Sequence, residues 1–355
     1  MSDLDRLLLQ CRAGFEKEAA AEITDQCAAL GIYGYCTLNS DDGYLLFHLQ
    51  QPEDGERALR ELRFREFIFI RQWALVGECL ELAPDDRIGQ ISALLQDLPT
   101  ATELWVEYPD TTEGREMARF ARKFGSALAQ HLRRNGGLEK QSRNRAQRLL
   151  LFTLSGSQLY LGYAPVRNSA PWPMGLPRLK FPKDAPSRST LKLEEAWHWF
   201  IPREEWDTRL AHSSTAVDLG AAPGGWTWQL VQRSMFVTAV DNGPMQPALM
   251  ESGQVRHVQE DAYRFVPDQP VNLMVCDVVD KPVKTAAMAA DWVLNGYCNE
   301  AIFNLKLPMK QRYQEVIGCL NLIAERCMQA GVAYELLTRH LYHDREEVTC
   351  LLRRL

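Results

Sequence analysis

The run from Thr215 to Trp226, TAVDLGAAPGGW, constrains this chain more than any other segment. An apolar strand over 215–219 leads into an elbow holding Gly220, Gly224 and Gly225, and a helix begins near Trp226. A strand–elbow–helix unit commits its surroundings to a mostly parallel α/β sheet of the doubly wound kind. Glycine at the elbow lets backbone approach a bound cofactor, because it carries no Cβ and accepts unusual φ/ψ. The glycine spacing does not fit G-x-G-x-x-G, and no Lys-Ser or Lys-Thr follows to complete a phosphate loop. Asp218, just before the glycines, suits a cofactor with a cationic amino-acid tail, which points to S-adenosylmethionine. Gly220, Ala222, Pro223, Gly224, Gly225 and Trp226 are then expected to line it.

The same theme recurs downstream. Phe236 to Asp241 is an apolar strand ending in a carboxylate, and in doubly wound folds an acid at that strand tip accepts hydrogen bonds from ribose hydroxyls. Asp261 follows a third strand, over 255–258, and is expected near the base of the cofactor. A fourth strand, 271–276, ends at Asp277, and a fifth, 301–306, ends at Lys306, a charge in an otherwise apolar run that calls for a partner. Strands over 332–338 and 347–353 have only a short loop between them and are expected to pair antiparallel, which makes a seven-stranded sheet.

Upstream, the pattern is α+β of ferredoxin-like type over 1–80. Strands are expected over Leu7–Cys11, Ile32–Leu38, Gly43–Leu49 and Glu66–Leu80, with helices over Phe15–Leu30 and Arg57–Leu62. A second region, 81–163, reads helix, strand, helix and a final strand or hairpin. Six prolines between 164 and 187 exclude regular helix or central strand there, so this is a connector, and the cofactor domain spans 188–355. The net charge of −6 hides a local excess: between Arg115 and Arg148 lie ten Lys or Arg against two Glu. Arg119, Arg122, Lys123, Arg133, Arg134, Arg143 and Arg145, with Lys140 and Arg148, are candidates for contact with RNA phosphates. The nine scattered cysteines and seven histidines show neither a C-x-x-C pair nor ligand spacing, so reduced thiols and no metal are expected. No run is apolar enough for a membrane span or signal peptide, which predicts a cytoplasmic protein.

Five motifs in order, SRSTLKLEE at 187–195, DLGAAPGGW at 218–226, the strand end CD at 276–277, the NLK strand at 304–306 and REEV at 345–348, resemble those of the FtsJ-type ribose 2′-O-methyltransferases. That resemblance covers the C-terminal half and implies a Lys-Asp-Lys-Glu tetrad at Lys192, Asp277, Lys306 and Glu347, with Ser189 near the cofactor carboxylate. Ser189 as a plain helix N-cap is the competing reading. Glu346 is the near alternative to Glu347, since a one-residue register shift exchanges their faces. The segments LQCRAGFEKE at 9–18, PRLKFP at 177–182 and NLKLPMK at 304–310 look like the branch of this family that joins a THUMP-type RNA-binding region to the catalytic domain. The resemblance implies transfer of a methyl group to a cytidine 2′-hydroxyl in the peptidyl-transferase loop of 23S rRNA, presented as rRNA or a large-subunit precursor, by a monomer. Fold alone also permits another RNA, a protein or a small molecule as substrate.

Overall fold

The computed structural model describes residues 4–139 and 146–355. The chain forms two compact units, Met1–Leu176 and Pro177–Leu355.

The first unit is built on one sheet of eight strands: β1 (Arg6–Gln10), β2 (Gly34–Leu38), β3 (Tyr44–Leu49), β4 (Gln72–Val76), β5 (Leu80–Glu81), β6 (Ala101–Glu107), β7 (Gln147–Thr153) and β8 (Gln158–Pro165). Their order is β2-β3-β1-β4-β8-β7-β6, with β5 also on β8. The pairing of β4 with β8 therefore runs one sheet through both regions that the sequence divides near residue 80. Helices α1 (Glu16–Ala29), α2 (Asp54–Glu61), α3 (Arg87–Leu94) and α4 (Ala118–Arg134) complete the unit.

The expected strand over Glu66–Leu80 is much shorter in the structure. Only Gln72–Val76 and the pair Leu80–Glu81 are strand, because the amides of Ile68, Phe69 and Ile70 turn onto the carboxylate of Glu22 on α1, at 2.5, 2.9 and 3.3 Å. Donors committed to a side chain cannot serve a sheet ladder. The proline-dense connector is divided too. Its first part packs in the first unit, where Asn168 takes the Phe64 amide at 2.9 Å and Met174 gives its own amide to buried Glu107 at 2.6 Å. From Pro177 onward it belongs to the second.

The second unit carries strands β9 (Thr215–Leu219), β10 (Phe236–Val240), β11 (Val255–Val258), β12 (Val271–Cys276), β13 (Cys298–Lys306), β14 (Tyr334–Arg339) and β15 (Glu347–Arg354) in the order β11-β10-β9-β12-β13-β15-β14. The first five run parallel, and β15 pairs antiparallel with both β13 and β14. Helices α5 (Thr190–Phe200), α6 (Trp206–Arg209), α7 (Gly225–Gln232), α8 (Pro247–Glu251), α9 (Pro282–Leu294) and α10 (Arg312–Gln329) accompany the sheet. Strand order reverses between β9 and β12, so the crevice outside their carboxyl ends is where a doubly wound sheet binds its ligand. All nine cysteines are free thiols, and no metal-ligating cluster occurs among the described residues. No described helix is long and apolar enough to cross a membrane.

Candidate active site

Four charged side chains meet at the carboxyl ends of the central strands. Lys192 comes from α5, Asp277 follows β12, Lys306 closes β13 and Glu347 opens β15. The antiparallel register sets Lys306 opposite Glu347 and Asn304 opposite Thr349. Paired residues in a strand register share a face, so Lys306 and Glu347 project together, and Lys192 and Asp277 reach them from α5 and the end of β12. Glu346, one residue off, turns outward to Arg312 at 2.6 Å.

The four close into a ring. Nζ of Lys192 lies 3.2 Å from Asp277 Oδ2 and 2.6 Å from Glu347 Oε1; Nζ of Lys306 lies 2.6 Å from Asp277 Oδ1 and 2.9 Å from Glu347 Oε2. Each lysine thus bridges both acids, and their side chains keep only 11–18% of their surface. Burial by itself disfavours all of these charges. For Asp277 and Glu347 it is outweighed by the two lysines, which hold both carboxyls below their ordinary range. For Lys192 burial is outweighed by Asp277 and Glu347, which hold its ammonium above its ordinary value.

Behind the ring lies a polar layer that sequence reasoning missed. Asn304 donates to Asp277 Oδ1 at 2.7 Å, and Thr349 donates to Asn304 Oδ1 at 2.7 Å. Oδ1 and Oδ2 of Asp344 stand 3.1 and 3.0 Å from the same hydroxyl. Glu195, one turn beyond Lys192 on α5, accepts the amides of Tyr342 and His343 at 2.8 and 3.0 Å and so ties this helix to the turn before Glu347. The available signal was polarity at two-residue spacing from Lys306 and Glu347 in strands that are otherwise apolar.

The elbow is shaped by close approaches. Gly220 and Gly224 have φ of +76° and +116°, where L side chains are strained, and a Cβ on Gly225 would stand 2.1 Å from the Ser189 hydroxyl. Ser189 and Ser187 share a hydrogen bond of 2.5 Å, and Ser189 makes no side-chain cap to α5, so the plain N-cap reading is not what the fold uses. Asp241 accepts the Ala222 amide at 3.0 Å and the Gly243 amide at 2.7 Å, which clamps β10 to the elbow. Asp261 is exposed and closes its own turn onto the Tyr263 amide at 2.9 Å. Ala222 is half-buried and Pro223 exposed on the elbow.

Three expectations are corrected. Asp218 is 1% exposed and takes the Thr227 hydroxyl at 2.6 Å, so it braces the elbow from below and offers no open carboxylate to a cationic tail. Burial, more than the neighbouring carboxylates, pushes its carboxyl up to about 7. Trp226 is 2% exposed in the core cluster, with its indole N–H on the Ser189 carbonyl at 3.0 Å, and does not line the crevice. Arg148 is buried, stacked 3.3 Å over Trp105 and paired with Glu103 at 2.8 Å, so it leaves the basic patch. Of that patch, Arg119, Arg122, Lys123, Arg133 and Arg134 lie exposed on α4, opposite the apolar stripe of Ala121, Phe124, Leu128 and Leu132. Lys140, Arg143 and Arg145 lie outside the described residues.

Three family models match the chain: an RlmM ferredoxin-like domain over residues 4–74, the N-terminal domain of ribosomal RNA large subunit methyltransferase M over 86–165, and an FtsJ-like methyltransferase over 185–307. The chain is 52% identical over 352 residues to ribosomal RNA large subunit methyltransferase M of Stutzerimonas stutzeri (strain A1501), covering 99% of this chain and 100% of that one. It is 51% identical to the protein of the same name from Edwardsiella ictaluri (strain 93-146), covering 99% and 95%. Against that from Pseudomonas fluorescens (strain Pf0-1) it is 49% identical, covering 99% and 98%.

Proposed function

The chain belongs to the ribosomal RNA large subunit methyltransferase M family, and from that premise we propose that it methylates the ribose 2′-hydroxyl of a cytidine in 23S rRNA. It is an rRNA methyltransferase whose cofactor is S-adenosylmethionine. The ribose assignment is carried by one observation, the ring of Lys192, Asp277, Lys306 and Glu347 at the crevice. The elbow fits the cofactor. Asp241 spends one acceptor position of each oxygen on a backbone amide, which leaves others for sugar hydroxyls, and the Ser187–Ser189 pair sits against Gly225 where a Cβ would exclude it. When bound, the cofactor supplies an electrophilic methyl carbon.

What remains for the protein is the hydroxyl, a weak acid and a poor nucleophile until its proton is shared or lost. Lys192 stays an ammonium, held by two carboxylates, and stabilises the negative charge that develops on the oxygen. Lys306 is the proton acceptor. As the oxygen forms its bond to the methyl carbon, which a bound cofactor would release from its sulfonium with the carbon–sulfur pair staying on sulfur, the O–H bond breaks and its proton passes to Nζ of Lys306. Acting as the base requires the free amine of Lys306, which stays within reach of both acids at 2.6 and 2.9 Å. Asp277 and Glu347 orient both amines.

The exposed cations of α4, Arg119, Arg122, Lys123, Arg133 and Arg134, are the described part of an RNA-phosphate surface in a THUMP-type region that includes Arg143 and Arg145. The enzyme acts in the cytoplasm as a monomer, on rRNA or a large-subunit precursor. Transfer of labelled methyl to unmodified 23S rRNA tests the reading, with Lys306→Ala as the paired measurement. One ribose that becomes resistant to alkaline cleavage with wild type and not with the variant supports it. Label on a base, or normal single-turnover transfer by Lys306→Ala, sinks it.

A further inference from the structure

We propose that Asp344, Thr349 and Asn304 form a one-way chain of hydrogen bonds ending on Asp277, in which Asn304 and Thr349 are positioning residues for the carboxylate oxygen that Lys306 also holds. The proposal rests on the methyl-transfer reading of the lysine–carboxylate ring. Its direction follows from counting hydrogens. Asp277, ionised between two lysines, can only accept, so the group that Asn304 turns to its Oδ1 at 2.7 Å is the amide N–H. The Asn304 carbonyl then faces the Thr349 hydroxyl at 2.7 Å and has no hydrogen to give. The one hydrogen of Thr349 therefore goes to Asn304.

Asp344 lies 3.1 and 3.0 Å from that same hydroxyl oxygen, and with the hydroxyl hydrogen committed, this contact forms by donation from a neutral carboxyl. Its Oδ2 accepts the Leu341 amide at 3.0 Å. The site suits a neutral acid: Asp344 is fully buried, and burial first, then repulsion from Glu347, pushes its carboxyl well above the ordinary value. Asn304 and Thr349 are likewise fully buried, in paired register on β13 and β15. The consequence is mechanical. Oδ1 of Asp277 is pinned by a donor that does not titrate, so the carboxylate keeps its rotation while Lys306 changes protonation.

Thr349→Val removes the hydroxyl and nearly keeps the shape, leaving the Asn304 amide untethered. For transfer to 23S rRNA, kcat is expected to fall ~10- to 100-fold, the range seen when outer partners of site ligands are removed. KM for RNA and for cofactor should stay within about twofold, and Thr349→Ser should recover most of the rate. Side-chain amide protons of Asn304, followed by NMR in the RNA-free protein and assigned by their loss in Asn304→Ala, should exchange slowly in wild type and Thr349→Ser and quickly in Thr349→Val. Unchanged kcat in Thr349→Val, or unchanged amide exchange, overturns the chain. Absence of methyl transfer to rRNA by wild type overturns the functional reading separately, and the exchange measurement still decides the chain.

Discussion

Both units bury carboxylates, and the acids of the catalytic ring are satisfied in the opposite way to those of the first unit. In the first unit, Glu22 sits beneath three successive amides at 68–70, Glu16 takes the amides of Gly14 and Gly43, and Glu107 takes the Met174 amide and the Gln10 side chain. In the second, Asp277 and Glu347 are met mainly by lysines. Backbone amides are fixed dipoles without a proton to release, so acids held by them pin loops in place. Lysines can lose a proton or turn to a new partner, so acids held by them can take part in chemistry. Buried charge thus serves shape where amides meet it, as at Glu22 and at Glu195, and reactivity where lysines meet it, in the ring.

The sharpest break between them should come from Lys306→Ala. Removal of the proton acceptor is expected to lower single-turnover methyl transfer ~1000-fold, within the span of a positioned acid or base. The affinity for S-adenosylmethionine, measured by calorimetry, should be unchanged. Unfolding should shift modestly, because Lys192 still faces both acids and the ring is partly solvated.

Glu22→Ala should do the reverse. It strands amides in an interior where each unpaired donor costs about 1–3 kcal/mol, for a total of ~3 kcal/mol or more in the urea stability of the first unit. The rate per folded molecule at saturating RNA should hold. A loss of kcat in the folded fraction would remove the division of labour between the two sets of acids.

Gly225→Ala probes the elbow. The new Cβ would meet the Ser189 and Ser187 hydroxyls at 2.1 and 2.4 Å and push that pair off the crevice. Cofactor affinity is expected to drop about tenfold, as for the loss of a hydrogen bond or two, with RNA binding unaltered. Equal affinity in the variant would place the cofactor away from Ser189.

What was legible in the sequence was local. An apolar strand with a charge at its tip announces itself at Asp241, Asp277 and Lys306, and the elbow glycines announce the close approaches around Gly220, Gly224 and Gly225. What was not legible depends on distant partners. Glu22 meets amides 46 to 48 residues away, and Thr349 meets Asn304 45 residues away, pairs fixed by register and helix docking. The same gap explains the errors. Arg148 counts as a surface cation until Trp105 and Glu103 enclose it, and the run from Glu66 to Leu80 has strand composition although Glu22 claims its amides. Trp226 belongs to the elbow by sequence and to the core by packing.

Asp218 tests the comparison from inside the catalytic unit, because it is a buried acid with neither a lysine nor a set of amides to compensate it. Its carboxylate takes the Thr227 hydroxyl, and burial raises its carboxyl from 3.8 to about 7. A carboxyl raised in the folded state binds its proton more tightly there than in the unfolded chain. Between about pH 4 and 7 the folded form holds more protons, so stability declines as pH rises through this window and levels off above it. This is opposite in sign to Asp277 and Glu347, whose lowered values contribute stability above the ordinary carboxyl range that is lost on acidification. Asp218→Asn, neutral at every pH, should flatten the decline in Tm between pH 5 and pH 8 and leave methyl transfer near wild type. A variant as pH-sensitive as wild type would mean that this acid is compensated after all, as Glu195 is by the amides of Tyr342 and His343.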